Sequence, residues 1–106
     1  MSAKLSSMSD TFYADRLEWD DWNREHIMQH DVLPEEAEQV AKSGPVVLES
    51  YKGRLVLIGP TLTGRMLAVI VGPDLIRPDV YYVFSARPAS RKERRHYEQE
   101  KGGDTP

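Results

Sequence analysis

At Val46 the sequence switches abruptly to β-forming residues. Four apolar runs follow, VVLESY, RLVLIG, RMLAVIVG and VYYVFSA, predicting strands over 46–51, 54–59, 65–72 and 80–86. Their separators are Lys52-Gly53, Pro60–Gly64 and Pro73–Asp79, all turn-forming in composition. Such short connections favour consecutive antiparallel pairing, because a parallel neighbour needs a long crossover. The middle runs are apolar at nearly every position (Leu55-Val56-Leu57-Ile58; Leu67 to Val71). A sheet with one wet face would alternate, so both faces should be covered.

What precedes the sheet reads as helix. A short strand is expected near Arg16–Trp19. Asp20 or Asp21 is then a good N-cap for a helix reaching about His30, with Trp19, Asn23, Ile27 and His30 on one stripe. A second helix starts at Pro34, whose fixed φ and missing N–H suit a first helical position. Glu35 and Glu36 favour its N-terminal turn, Leu33, Ala37, Val40 and Ala41 supply an apolar face, and Ser43-Gly44-Pro45 ends it. After the sheet, Ser90 and Glu93 form a capping box for a last helix from about Arg91. The expected fold class is therefore α+β: two N-terminal helices, a four-stranded antiparallel sheet and a C-terminal helix. Three short helices cover two sheet faces poorly, which leaves room for a second copy or a partner protein.

With 106 residues, 40% hydrophobic and 29% charged, the chain is expected to form one soluble globular domain over 15–100. Residues 1–14 read as a flexible polar leader without a secretory core, and 101–106 as a tail. No apolar run approaches the ~20 residues of a membrane span. The absence of cysteine excludes disulfides and thiolate metal sites and fits a cytoplasmic location.

Charge is segregated. The net charge is −3, yet Arg87, Arg91, Lys92, Arg94 and Arg95 face only Glu93 within their own segment. From Asp15 to Glu38, nine acids stand against Arg16 and Arg24. Arg91 and Lys92 lie in the first turn of the last helix, where a cation costs roughly 0.3–1 kcal/mol. A bound anion would reverse that cost. A solvated basic helix, with Arg94 pairing to Glu98 at i,i+4, also accounts for them. His26 and His30 share a helix face, but the intervening Ile27-Met28-Gln29 lacks the glutamate of HExxH and no third ligand is obvious. No metal or other cofactor is expected.

Three segments, LEWDDWNREHIMQHDVLPEEAEQV, YKGRLVLIGPTLTGRMLAVIV and FSARPASRKERRHYE, together span roughly residues 17–98. In their order and spacing they resemble the BrnT family, the toxin half of a type II toxin–antitoxin module. Where that family reads Lys-His-Gly, this chain has Gln29-His30-Asp31. The Pro73–Asp79 connection is also longer and richer in proline than the family's.

The resemblance implies a RelE-like fold, metal-independent cleavage of RNA, and neutralisation by a ribbon-helix-helix antitoxin similar to BrnA. A homodimer or a toxin–antitoxin heterotetramer is left open. Such cleavage needs proton transfer and neutralisation of the phosphorane charge, the latter a task for arginine's planar fork. Carried over by motif, Arg65, Arg87, His30 and Tyr97 are the catalytic candidates, and Arg54, Arg91, Lys92, Arg94 and Arg95 the RNA-binding ones. His30 also reads as a structural helix-end histidine, and Tyr97 as a packing aromatic. The alternative function is a non-catalytic protein-interaction module on the same scaffold, acting with a DNA-binding partner.

Overall fold

The computed structural model describes residues 12–101, so most of the expected leader (1–11) and tail (102–106) lies outside the described residues. The elements are β1 (Arg16–Glu18), α1 (Asp21–Met28), α2 (Pro34–Lys42), β2 (Val46–Glu49), β3 (Leu55–Pro60), β4 (Met66–Pro73), β5 (Val80–Pro88) and α3 (Arg91–Lys101). The fold is α+β as expected, with one correction. The sheet has five strands rather than four, in the order β1-β5-β4-β3-β2.

β2, β3, β4 and β5 pair antiparallel in sequence order. β1, the short strand expected near Arg16, lies parallel to β5, with Leu17 opposite Tyr81. The whole stretch from α1 to β4 serves as its crossover. Phe12 and Ala14 pack against the same core.

β1 stops after three residues because Asp20 caps α1. The Asp20 carboxylate accepts the Asn23 N–H at 2.9 Å, and the Asn23 carbonyl oxygen accepts the Asp20 N–H at 2.8 Å. The Asn23 amide also donates to the carbonyls of Glu18 and Val83, at 2.9 and 3.0 Å. This fully buried side chain thus fastens α1 to the edge of β5 that the short β1 leaves uncovered.

α1 ends in a Schellman closure. Val32 N–H donates to Ile27 C=O at 3.2 Å and Asp31 N–H to Met28 C=O at 3.1 Å, while Asp31 takes φ +61°. Glycine is the usual occupant of that left-handed position.

The core face of the sheet meets α1 and α2 through Ile27, Val32, Ala37 and Val40 against Leu57, Leu67, Val69, Val71 and Val83. Leu33, expected on this face, is 47% exposed instead, because it precedes the helix and turns outward. On the opposite face α3 crosses β2 and β3, the end of the sheet where Val46, Ile58 and Ala68 are fully buried. α3 itself has no fully buried residue. Among the described residues the rest of that face, including Val56, Ile70 and Phe84, is only partly buried. This is the face the helices were too few to close.

Candidate functional site

A β-bulge shapes this partly buried face. Ile70 pairs with Ser85 and Val71 with Val83, so Phe84 has no partner on β4. The extra residue turns both Phe84 and Ser85 toward the open side. Gly72 makes room for the Phe84 ring, since a Cβ at Gly72 would stand 2.6 Å from Phe84 Cε2. Tyr82 meets the same ring edge-on at 5.1 Å.

Arg54 lies over the other side of Phe84, its guanidinium carbon 3.7 Å from the ring centroid. A tight 3-10 turn at Tyr51–Gly53 delivers it there. Lys52 (φ +61°) and Gly53 (φ +73°) both take left-handed backbone, and the Arg54 N–H closes the turn on Tyr51 C=O at 3.2 Å. The turn raises Tyr51, 69% exposed, at one rim of a groove of about 500 Å3. The opposite rim is Trp22 on α1, stacked on His26 at 4.7 Å and 10°. Val56, Ile70 and Phe84 form the floor, and Arg87 closes one end. Beyond Arg54 and Phe84 a second hollow, of about 520 Å3, is bordered by Lys52, Tyr82 and Leu75.

Arg87 is held by Glu93 in a two-bond fork, Nη1 to Oε1 at 2.7 Å and Nη2 to Oε2 at 2.8 Å. That hydrogen bond raises the Arg87 guanidinium above its ordinary pKa and holds the Glu93 carboxyl below its own. Glu93 also accepts the Ser90 N–H at 2.8 Å, and Ser90 Oγ accepts the Glu93 N–H at 3.1 Å. The capping box read from the sequence is present.

Aromatic walls, an apolar floor and two arginines can hold a planar ring and the anion attached to it. No protein-family model matches the sequence, and no curated protein does. Among solved structures, the Brucella abortus ribonuclease toxin BrnT is similar to 72% of this chain and 97% of its own, with 25% identity and a TM-score of 0.57. The chain has a BrnT-like fold.

Within this BrnT-like fold the expected site residues are scattered. Arg54 and Arg87 line one groove. Arg65 stands on the other face of the sheet, in register with Leu67 and Val69. Its Nη1 lies 3.1 and 3.3 Å from the Glu36 carboxylate oxygens, tying the start of α2 to the start of β4. It borders a separate hollow with Met28, Asp31 and Leu33. His30 is exposed beyond the groove, edge-on to His26 at 5.7 Å. Tyr97 is half-buried on α3, away from the groove lining.

Arg91, Arg94 and Arg95 gather with Glu98 around an exterior hollow. Lys92 is exposed beside them. Among the described residues none of these four cations makes an ion pair, so the expected Arg94–Glu98 contact is not formed.

Trp22, His26, Tyr51 and Phe84 were not singled out as site residues by the sequence. Trp22 and His26 stand four apart on a stripe beside that of Asn23 and Ile27, a visible pattern. The bulge that aims Phe84 leaves no mark in composition. Trp19 and Trp22 divide their roles. Trp19 packs on the core and donates to Glu38 at 2.8 Å, whereas Trp22 is 58% exposed.

Proposed function

We propose that the protein is a BrnT-like ribonuclease toxin that binds single-stranded RNA across the open face of its sheet. The observation that carries this is the Arg54–Phe84 stack at the centre of an aromatic groove, on a chain with a BrnT-like fold. Every nucleobase has a face that stacks on an aromatic ring, and arginine adds cation–π and phosphate contacts. Trp22, Tyr51 and Phe84 take bases, and Arg54 and Arg87 face the phosphate. His26 is the groove's imidazole, placed to carry a proton between the 2′-hydroxyl and the leaving 5′-oxygen. Arg91, Lys92, Arg94 and Arg95, unpaired on α3, extend the cationic track beyond Arg87. The reaction needs no metal ion, and a ribbon-helix-helix antitoxin restrains it in the cytoplasm.

Induced expression without antitoxin, together with purified protein on single-stranded RNA in chelator, tests this. Wild type arrests growth and cuts RNA, whereas Arg54→Ala combined with Arg87→Ala does neither. A wild type that leaves both growth and RNA intact overturns it.

One observation favours the second reading, a non-catalytic interaction module acting with a DNA-binding partner. Arg87 is already neutralised by Glu93, and Arg65 by Glu36. That reading predicts RNA binding too weak to measure and a stable complex with the partner.

A further inference from the structure

Strand register lays out the hollow beyond the Arg54–Phe84 stack. Glu18 pairs with Tyr82 and Tyr82 with Gly72, and Arg54 follows in the same row, one residue before the Leu55–Val71 pair. All four residues line the hollow. Three strand spacings put about 14 Å between the Glu18 and Arg54 backbones. A carboxylate therefore marks one end of the hollow, and two cations, Arg54 and Lys52, mark the other. The Tyr82 and Phe84 rings lie between them, with the exposed Leu75 beside.

Net charge selects nothing here, since Lys52, Arg54 and Arg77 stand against Asp20, Glu18 and Asp74. The open donors and acceptors do select. Asp74 is saturated: its Oδ2 accepts the N–H groups of Ile76 and Arg77 at 3.0 and 2.6 Å, and its Oδ1 accepts the Arg77 guanidinium at 3.2 Å. The Tyr82 hydroxyl donates to Asp20 at 2.9 Å. Glu18 accepts from Arg77 at Oε2, but among the described residues its Oε1 has no donor. Arg77 reaches both acids through Nη2, which leaves its Nη1 without a described partner. Lys52 and Arg54 make no ion pair among the described residues.

An open carboxylate oxygen beside an arginine N–H matches one nucleobase edge. Guanine presents two adjacent donors, N1–H and the 2-amino group, next to the acceptor O6. Adenine and cytosine set a ring-nitrogen lone pair beside their amino group, and uracil flanks its N–H with two carbonyls. Each of these three would turn a lone pair toward the carboxylate, at the cost of an unpaired polar contact. Stacking on Tyr82 gives affinity for any base, and the edge gives the choice.

We infer that this hollow is a guanine subsite for single-stranded RNA. The base stacks on Tyr82, Glu18 accepts from N1–H and the 2-amino group, Arg77 donates to O6, and Lys52 and Arg54 hold the phosphate. The subsite rests on the proposed ribonuclease reading and adds a base preference to it, at the nucleotide next to the groove that shares Arg54.

Binding of 2′-O-methyl oligouridylates that carry one guanosine, inosine, adenosine or cytidine, with the all-uridine chain beside them, tests this. Such chains lack the 2′-hydroxyl and stay intact. The guanosine chain binds about tenfold or more tighter than the adenosine, cytidine and uridine chains. Inosine, which lacks only the 2-amino group, falls between. Glu18→Gln, whose amide offers one donor and one acceptor, raises adenosine above guanosine. Lys52→Met, on the exposed turn, weakens all five chains alike, because it removes a phosphate contact. Guanosine monophosphate by itself binds far more weakly than the guanosine chain.

Equal affinity across the five chains overturns the inference, as does a guanosine preference that survives Glu18→Gln or ignores the loss of the 2-amino group. The inosine comparison uses wild type only, so it decides even if Glu18→Gln unfolds. Guanosine monophosphate binding as tightly as the chain would assign the hollow to a free nucleotide and overturn its place in RNA. If the preference appears and reverses while ordinary RNA is left uncut, the subsite stands and the ribonuclease reading falls. RNA cut with no base preference keeps that reading and removes the subsite.

Discussion

The Arg87 guanidinium and the Glu93 carboxylate meet as two parallel hydrogen bonds, at 2.7 and 2.8 Å, across the junction between β5 and α3. The same carboxylate caps the helix by accepting the Ser90 N–H. Glu93 thus fixes α3 against the sheet and neutralises the cation at the end of the groove.

Glu93→Gln separates those two roles. The glutamine oxygen still accepts the Ser90 N–H, but the charge opposite Arg87 is gone. Stability should fall by about 1 kcal/mol, the scale of a partly exposed ion pair. RNA affinity should rise several-fold, because a phosphate no longer displaces a carboxylate to reach Arg87. Denaturant unfolding and RNA titration measure the two effects. Unchanged or weaker RNA binding would mean that Arg87 is a structural cation only.

Three depressed carboxyls, Asp20, Glu93 and Asp74, set the acid limb of stability, Asp20 chiefly through the Asn23 N–H that it accepts. Glu93 lies below its ordinary 4.5, chiefly through its hydrogen bond to Arg87. Asp74 falls from 3.8 to about 2, chiefly through its hydrogen bond to Arg77. A carboxyl held low in the native state contributes fully above its unfolded value and loses that contribution as pH drops through the native one. The melting temperature should therefore be steady near pH 6, begin to fall below about pH 4.5 and keep falling toward pH 2. Glu93→Gln should flatten the upper part of that fall, and Asp74→Asn the lower part. A melting temperature constant down to pH 2.5 contradicts this assignment.

Arg54 and Arg65 were expected together at an RNA site, and the sheet separates them. Arg54→Ala removes one cation from the groove and should lower the slope of log affinity against log salt by about 0.7, as for one phosphate contact to a single strand. Arg65→Ala should leave that slope alone. It should instead cost about 1 kcal/mol of stability, because it loosens α2 from β4 at Glu36. Salt titrations of both variants decide the matter, and a larger RNA defect in Arg65→Ala would return the site to the other face.

Gly72 is the space that Phe84 occupies. In Gly72→Ala the new methyl, 2.6 Å from Cε2 before any adjustment, pushes the ring off the sheet and loosens the Arg54 stack above it. Overpacking at a ring end that can still tilt should cost about 1 kcal/mol, at the low end of such changes. RNA affinity should weaken alongside. Full stability and full affinity in this variant would show that the Phe84 position is immaterial.

How much of this was legible in the sequence depends on whether the information was local. The four antiparallel strands, Pro34 at the start of α2 and the Ser90–Glu93 box each rest on neighbours in the chain, and all were read correctly. β1's parallel pairing was not legible, because three residues with no periodicity gave no sign of their partners in β5, from Arg16 opposite Val80 to Glu18 opposite Tyr82. Asn23 was placed on the right stripe, but its hold on Val83 C=O depends on an edge that only the assembled sheet creates. The groove was missed for a similar reason. Arg54 carried a motif, yet its stack on Phe84 follows from a bulge and a glycine on different strands. Arg65 and Arg87 looked alike as motif arginines, and strand register put them on opposite faces.

Asp31 was legible as a departure, standing where the family the sequence resembles reads glycine. The structure gives it φ +61° within the closure of α1. Aspartate tolerates that region better than most residues, but its Cβ still crowds the following carbonyl, a strain glycine escapes. Glycine loses more backbone freedom on folding, which offsets part of the gain. Asp31→Gly should therefore stabilise the protein by about 0.5–1 kcal/mol. It also removes one acid from the crowded front of α1 and α2, which acts in the same direction. Asp31→Asn, keeping the side-chain shape without the charge, separates the two contributions: it should recover only the electrostatic share. Denaturant midpoints for wild type and both variants, read at one salt concentration and again at high salt, make the comparison. A glycine variant no more stable than the asparagine variant would show that the turn is unstrained at Asp31 and that charge alone accounts for the gain.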